Sequence, residues 1–393
     1  MSQSQPNNNV HPVSQTERIQ ILDILRGFAV FGILAVNIGG FAAPAFFPGY
    51  VPPEMVWYDE LAEWLMYFFA EGKFYTIFSF LFGLGFSVQM ARAEAKGRDV
   101  RSFYPRRLWA LFALGILHAA IFWIGDILRL YALLGFALLA FRKRSNKTLL
   151  IWAGIFFAVG FFLLVFIGGP HGGGEEIPGM DVIAMARQAY NGDSVLAVII
   201  FQFFAAFISF MVIAFTQGGT VMALFLLGLL AGRMKFFEQL GEHRAFFTKV
   251  IPIGLLLGLA FNLLFVFTED PWLASLGFTI GAPAFAAVYV SGLSLLSLKE
   301  SGARLLAPIS KVGRMALTNY VLQSVVCSLL FNGYGFGLYE KVGAAGLWGI
   351  TFAIYLCQIP LSGWWLSRFQ FGPLEWLWRS LTYKERQPFL LRP

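Results

Sequence analysis

Apolar residues recur along the chain in runs of 15 to 23 residues, separated by short polar connectors. At 1.5 Å per helical residue, about 20 residues cross a hydrocarbon layer of roughly 30 Å. The runs fall at 21–41, 74–90, 108–124, 127–141, 148–167, 220–234, 250–267, 276–298, 315–331 and 347–366. A helix satisfies its backbone groups internally, whereas an open sheet edge in lipid does not. The pattern therefore predicts an all-α polytopic transmembrane helix bundle of about ten spanning helices, with further interfacial helices.

One apolar stretch breaks the alternation. Basic residues cluster at Arg92, Lys96, Arg98, Arg101, Arg106 and Arg107, at Arg142, Lys143, Arg144 and Lys147, and at Arg233, Lys235, Arg244 and Lys249. Two later clusters are Lys299, Arg304, Lys311 and Arg314, and Arg379, Lys384, Arg386 and Arg392. Connectors between them lean acidic, with Glu54, Asp59, Glu60, Glu175, Glu176, Asp181, Asp193, Glu269 and Asp270. The positive-inside bias places both termini in the cytoplasm. It leaves one crossing, not two, between the acidic loop before residue 194 and the basic loop after 233. The Phe-rich segment 194–215 is thus expected to lie along the outer interface, or to join the next span as one long kinked helix broken at Gly218 and Gly219.

Composition agrees: 58% of the 393 residues are hydrophobic and only 13% charged, with a mean hydropathy of +0.68. Soluble domains carry about twice that charge. The expected organisation is a disordered cytoplasmic tail at 1–20, a single membrane domain at 21–378 with an outer loop at about 168–195, and a basic cytoplasmic tail at 379–393. The opening segment lacks the basic start and apolar core of a signal peptide. Cys327 and Cys357 lie within apolar runs, so neither a disulfide nor a metal site is inferred. The glycine-rich 168–174 lacks the strand, lysine and helix of a phosphate loop and reads as a flexible connector. The basic residues sit at helix ends, where lipid headgroups account for them, and no nucleic-acid partner is expected.

Polar residues inside spans are costly and therefore informative. Asp23 and Arg26 sit three apart on one helical face beside Gly27, which suits either a local ion pair or contact with an anionic ligand. Glu71 and Lys73 open the second span, near Asn37 at the end of the first; a solvated helix start is the alternative. His118 is the one histidine of four inside an apolar run, and Gly125, Asp126 and Arg129 follow it. An imidazole exchanges protons near neutral pH, which suits general-base work on a hydroxyl or amine. Eight positions along a straight helix would hold His118 and Asp126 about 12 Å apart, so contact requires a chain reversal at Gly125. A histidine hydrogen-bonded to a neighbouring helix, and a structural Asp126–Arg129 pair, are the competing readings. Thr318, Asn319, Gln323 and Gln358 carry groups suited to hydrogen bonds between helices.

Five ordered strings carry a resemblance: Leu22-Asp-Ile-Leu-Arg-Gly27, the run from Gly72 to Gly83, Gly115-Ile-Leu-His118 with Gly125-Asp-Ile-Leu128, the run from Gly313 to Tyr320, and Gly372-Pro-Leu-Glu-Trp376. From about residue 18 to 384 the chain resembles the bacterial YeiB-like family, known as domain of unknown function 418. That family is similar, at a distance, to transmembrane acyltransferases such as the lysosomal heparan-glucosaminide acetyltransferase. The features shared with them are Asp23, Arg26 and Gly27, the Gly39-Gly40 pair, and the run from Asp126 to Tyr131. The resemblance implies a bacterial inner-membrane protein that uses acyl-CoA as co-substrate, with no tightly bound cofactor. The catalytic histidine of those enzymes lies between the first two spans, where this chain has none. Nor does His118 open a His-x4-Asp motif, because position 123 is Trp123. His118 is a substitute candidate.

The leading expectation is acyl transfer from a cytoplasmic donor to a small-molecule or lipid-linked acceptor at the outer face. His118 would be the base, with Asp126 orienting it and Arg26 near the donor's phosphates. Lys73 or Asn37 would steady the oxyanion, and Asp23, Glu71, Arg129, Asn319 and Gln323 would contribute to substrate binding. A transporter or flippase for a lipid-linked or acidic solute is the alternative, and a non-catalytic assembly protein the third. The lipid bilayer is the expected surrounding, and a homodimer is left open.

Overall fold

The computed structural model describes residues 19–391 except 48, 53, 98, 168 and 171–180. Expectations for the N-terminal tail, most of the glycine-rich loop, Glu175, Glu176, Arg98 and Arg392 lie outside the described residues. The chain runs through α1 (Gln20–Ala42), α2 (Trp57–Phe69), α3 (Lys73–Ala95), α4 (Tyr104–Ile121), α5 (Leu128–Phe141), α6 (Asn146–Phe166) and α7 (Val182–Asn191). It continues through α8 (Val195–Arg233), α9 (Arg244–Phe267), α10 (Pro271–Ser297), α11 (Glu300–Arg314), α12 (Ala316–Phe331), α13 (Ala344–Leu366) and α14 (Pro373–Tyr383). No strand occurs among the described residues beyond a single bridge between Phe369 and Leu390. The protein is an all-α, multi-pass membrane bundle.

Seven helical segments are long and apolar enough to cross a bilayer, or eight if α11 and α12, bent by 75°, count as one. The predicted pair at 108–124 and 127–141 appears as α4 and α5, which pack as a hairpin. Their shortfall is physical: α4 carries Arg106 and Arg107 in its first turn, and α5 has only 14 residues.

Polar connector residues start many of the helices. Ser145, Asp181, Ser194 and Asp270 each accept a hydrogen bond from a backbone N–H in the first turn of α6, α7, α8 and α10. Such caps satisfy donors that have no partner within the helix. Between α3 and α8 the fit depends on Gly83 and Gly228, where a Cβ would collide with the carbonyls of Phe225 and Phe80. Small residues let helices meet closely in lipid. The outward faces stay apolar, with Ile151, Phe162, Phe203, Phe207 and Leu256 all exposed.

Segment 194–215 joins the next span. α8 is one helix of 39 residues, and the expected break at Gly218 and Gly219 is absent. Gly219 is instead a packing site: a Cβ there would lie 2.7 Å from the Phe156 carbonyl and 2.8 Å from the Gly160 nitrogen of α6.

The two ends of the bundle differ in chemistry. At the basic end, Arg233 donates to the carbonyls of Arg142 and Arg144, both at 2.6 Å, and Arg106 donates to Thr382 at 3.0 Å. The chain beyond α14 folds back here, pairing Gln370 with Phe389 at 2.9 Å and Leu391 with Arg368 at 3.0 Å. At the far end Arg187 grips Glu340 at 2.8 Å, Asp59 caps α13 through the Ala345 N–H at 2.8 Å, and the Glu340 N–H reaches the Ala42 carbonyl at 2.7 Å. Under this far end lies an apolar cluster containing Leu34, Trp123, Phe201, Cys327 and Phe331.

Candidate functional site

The α4–α5 turn builds the site. α4 frays after Ile121, where the N–H groups of Phe122 and Trp123 both bond the His118 carbonyl, at 2.9 and 3.0 Å. Three residues later Gly125 ends the reversal, and Asp126 returns alongside the helix it left. Gly115, one turn before His118, leaves the necessary space: a Cβ there would lie 2.8 Å from Asp126 Oδ1 and 2.9 Å from the Arg129 nitrogen. Gly115 in the string before His118 thus has a steric reason.

The reversal brings His118 Nδ1 to 2.8 Å from Asp126 Oδ2. On the other side of the ring, Nε2 lies 2.9 Å from the Ser324 hydroxyl of α12. Asp126 Oδ1 accepts the Arg129 N–H at 3.1 Å and faces Arg129 Nε at 3.4 Å. The same guanidinium donates to the Ala206 carbonyl of α8 at 2.9 Å and to the Ile124 carbonyl at 3.3 Å. His118, Asp126, Arg129 and Ser324 are 3%, 0%, 7% and 2% exposed. In so dry a place a charge persists only when paired. Asp126 and Arg129 balance each other, and an imidazole that turns an Nδ1 proton towards the carboxylate leaves its Nε2 lone pair free. Nε2 is then the lone-pair acceptor for the Ser324 proton, whose other contact, the Tyr320 carbonyl, is longer at 3.4 Å.

Ser324 was not singled out from sequence. Its only signal is the helical stripe Tyr320, Ser324 and Ser328, one turn apart on α12. The Tyr320 ring lies tilted at 48° with its centroid 4.8 Å from the imidazole, and Ser328 bonds the Phe122 carbonyl at 3.3 Å.

The other sequence candidates lie apart from this line. Lys73 is fully buried; its ammonium donates to the Tyr67 carbonyl at 2.9 Å and lies 5.5 Å from the Phe265 ring. Its neighbours are therefore in α2 and α9, and no contact joins it to His118 among the described residues. Glu71 and Asn37 are half-buried. Arg26 bonds Asp23 at 2.8 Å and is a third exposed, at 32% of its side chain. Beside them Gly27 and Gly313 let α1 and α11 touch through the Ile309 and Asp23 carbonyls, and the Tyr355 hydroxyl bonds the Gly27 carbonyl at 2.8 Å. Asn319 and Gln323 knit helices together. Asn319 donates to Ser362 at 3.0 Å, and Gln323 donates to Gln358 at 2.9 Å and to the Val30 carbonyl at 3.3 Å. A cavity of about 350 Å³ opens at the start of α1, lined by Ile24, Phe237, Glu238 and Leu298. It adjoins the basic end, away from His118.

Two further strings interlock. Glu375 accepts the N–H groups of Leu317 and Thr318 at 2.7 and 3.0 Å and the Thr318 hydroxyl at 2.6 Å. A carboxylate of α14 thus caps α12, the helix that carries Ser324.

The family model described as "Protein of unknown function (DUF418)" matches residues 231–385. Over 97% of its length the chain is 36% identical to the uncharacterized protein YxaH of Bacillus subtilis, of which 98% is covered. An uncharacterized 39.9 kDa protein from the amylase 3′ region of Bacillus acidopullulyticus is 32% identical, over 97% of this chain and 98% of its own. The uncharacterized protein YeiB of Escherichia coli is 28% identical, over 95% and 98%. With its bundle, its ordered strings and near full-length relatives of this kind, the chain belongs to the YeiB-like DUF418 family of membrane proteins.

Proposed function

We propose that the protein is an acyltransferase-like enzyme of the bacterial inner membrane, with both termini in the cytoplasm, and that His118 is its general base. The observation that carries this reading is the Asp126–His118–Ser324 line, in which a buried carboxylate lies 2.8 Å from imidazole Nδ1 and Nε2 faces a hydroxyl at 2.9 Å. A base oriented by a third group and already in reach of a hydroxyl is the arrangement that acyl transfer needs. Arg26, partly exposed at the other end of α1, suits the phosphates of an acyl-CoA donor. Lys73 is engaged with Tyr67 and is not given the oxyanion role.

The test is transfer of label from radioactive acetyl-CoA or palmitoyl-CoA to an extract of bacterial membranes by the purified full-length protein. His118→Ala is expected to lower transfer by about 10²- to 10⁴-fold, the usual contribution of a positioned base. Transfer undiminished in that variant removes His118 from the mechanism.

One observation favours a second reading, a proton-coupled carrier. His118, Asp126 and Arg129 are sealed, as a carrier's proton site is between its two open states. In that case no label is transferred, and solute uptake by proteoliposomes responds to a proton gradient and fails in Asp126→Asn.

A further inference from the structure

The imidazole nitrogen that would take a proton from an acceptor is already occupied. His118 Nε2 has a hydroxyl of the chain itself at 2.9 Å, and that hydroxyl is Ser324 Oγ. An external alcohol or amine could reach Nε2 only after Ser324 had turned away, so the first hydroxyl in line for deprotonation belongs to α12. We propose that Ser324 is a nucleophile that carries the acyl group in a two-step transfer; this rests on the acyl-transfer reading above.

The geometry supports it from two sides. Ser324 is 2% exposed and points at a base whose other nitrogen is held by a wholly buried carboxylate. Its helix is fixed at the start by Glu375 and alongside by the Asn319 and Gln323 bonds, so the hydroxyl is presented from a rigid element.

The chemistry balances with an acyl thioester as co-reactant. Ser324 Oγ attacks the thioester carbonyl while His118 Nε2 takes its proton. The tetrahedral intermediate then breaks its C–S bond, and the thiolate leaves with that proton. The acyl group remains on Ser324 as an ester. An acceptor hydroxyl or amine next gives a proton to Nε2 and attacks the ester carbonyl; the C–O bond to Ser324 breaks, and Oγ recovers the proton. Asp126 stays ionised throughout and holds the imidazolium formed in each half. Because the donor thiol departs before the acceptor enters, the two need not occupy the dry site together. That suits a site with so little room.

The experiment uses the full chain in lipid nanodiscs with radioactive acetyl-CoA or palmitoyl-CoA, without acceptor, followed by acid quench and peptide mapping. Expected is acid-stable label on the peptide that holds Ser324, none in Ser324→Ala, and in Ser324→Cys a label that neutral hydroxylamine releases as a thioester. The cysteine variant keeps the outcome readable should Ser324→Ala fold poorly, since it changes one atom. His118→Ala should slow labelling by about 10²- to 10⁴-fold. Transfer to membrane extract without any covalent label, or with label on another residue, overturns the role of Ser324 and leaves acyl transfer standing. Neither label nor transfer from either donor overturns both.

Discussion

At the scale of single residues, the Asp126–Arg129 pair shows how strongly a dry interior couples neighbours. Arg129→Met leaves a carboxylate at 0% exposure facing only the imidazole and one backbone N–H. Removing one partner of a buried ion pair typically costs about 3–5 kcal/mol. Thermal unfolding in detergent should show that loss, and adding Asp126→Asn should recover part of it. Purely additive losses would mean that the two charges do not interact. Glu375 offers a pH test. Burial pushes its carboxyl upward, against the hydrogen bonds from Thr318 and Leu317, which pull it down. A raised folded-state pKa contributes stability that is fully present below the unfolded pKa and fades as pH rises through the folded one. Glu375→Gln keeps the shape without the charge, so its melting temperature should exceed the wild type's at pH 8 and lose that advantage towards pH 4. An advantage that grows on acidification would contradict the assignment. The sequence made the His118–Asp126 contact legible because Gly125 marks a reversal and a histidine is rare in an apolar run. Ser324 was not legible: a serine in a membrane helix ordinarily bonds the carbonyl one turn back, and only the partner helix distinguishes it.

At the scale of elements, hydropathy located the spans well and misjudged what joins them. The tandem Gly218 and Gly219 read as a break, yet α8 continues through them as one helix, and the second glycine is the point where α6 and α8 meet backbone to backbone. Gly219→Leu should therefore separate the two helices and lower the melting temperature, by about 1–3 kcal/mol for overpacking. Gly218→Ala, with nothing within 4 Å of its Cβ, should be neutral or stabilise by up to about 1 kcal/mol. Equal effects at both positions would show that glycine serves flexibility here and not contact. The interfacial elements were harder to see. α2 begins with Asp59 and Glu60 and reads as a polar connector, but Asp59 is spent on capping α13. The second half of α14, from Arg379, reads as the start of a basic tail, while Glu375 and Trp378 in the same helix bind it to α12 and α4. A polar residue whose partner lies hundreds of positions away cannot be told from a solvated one by local pattern.

At the scale of the molecule, length decides where the candidate chemistry sits in the bilayer. The 18 residues of α4 and 14 of α5 reach about 27 and 21 Å, short of a hydrocarbon layer of about 30 Å. Their shared turn is thus recessed, and α7 and the segment at 332–343 close over the same apolar cluster. On these lengths His118 and Asp126 are expected below the far surface, with Arg26 and the basic loops at the near one. The arrangement requires an even number of crossings with the basic clusters on one side. Single cysteines in a Cys327→Ala, Cys357→Ala background test it with a membrane-impermeant thiol reagent. Cysteines replacing Glu269 and Gly343 should react in intact spheroplasts, and those replacing Lys143 and Lys299 only after permeabilisation. A cysteine replacing Gly125 should react from outside more slowly than one at Gly343, because its turn ends short of the surface. Should Lys143 and Glu269 label from the same side, α6, α8 and α9 would not be three successive crossings. The basic and far ends of the bundle would then no longer correspond to opposite faces of the membrane, and a donor held at Arg26 could not be separated by the bilayer from an acceptor near His118.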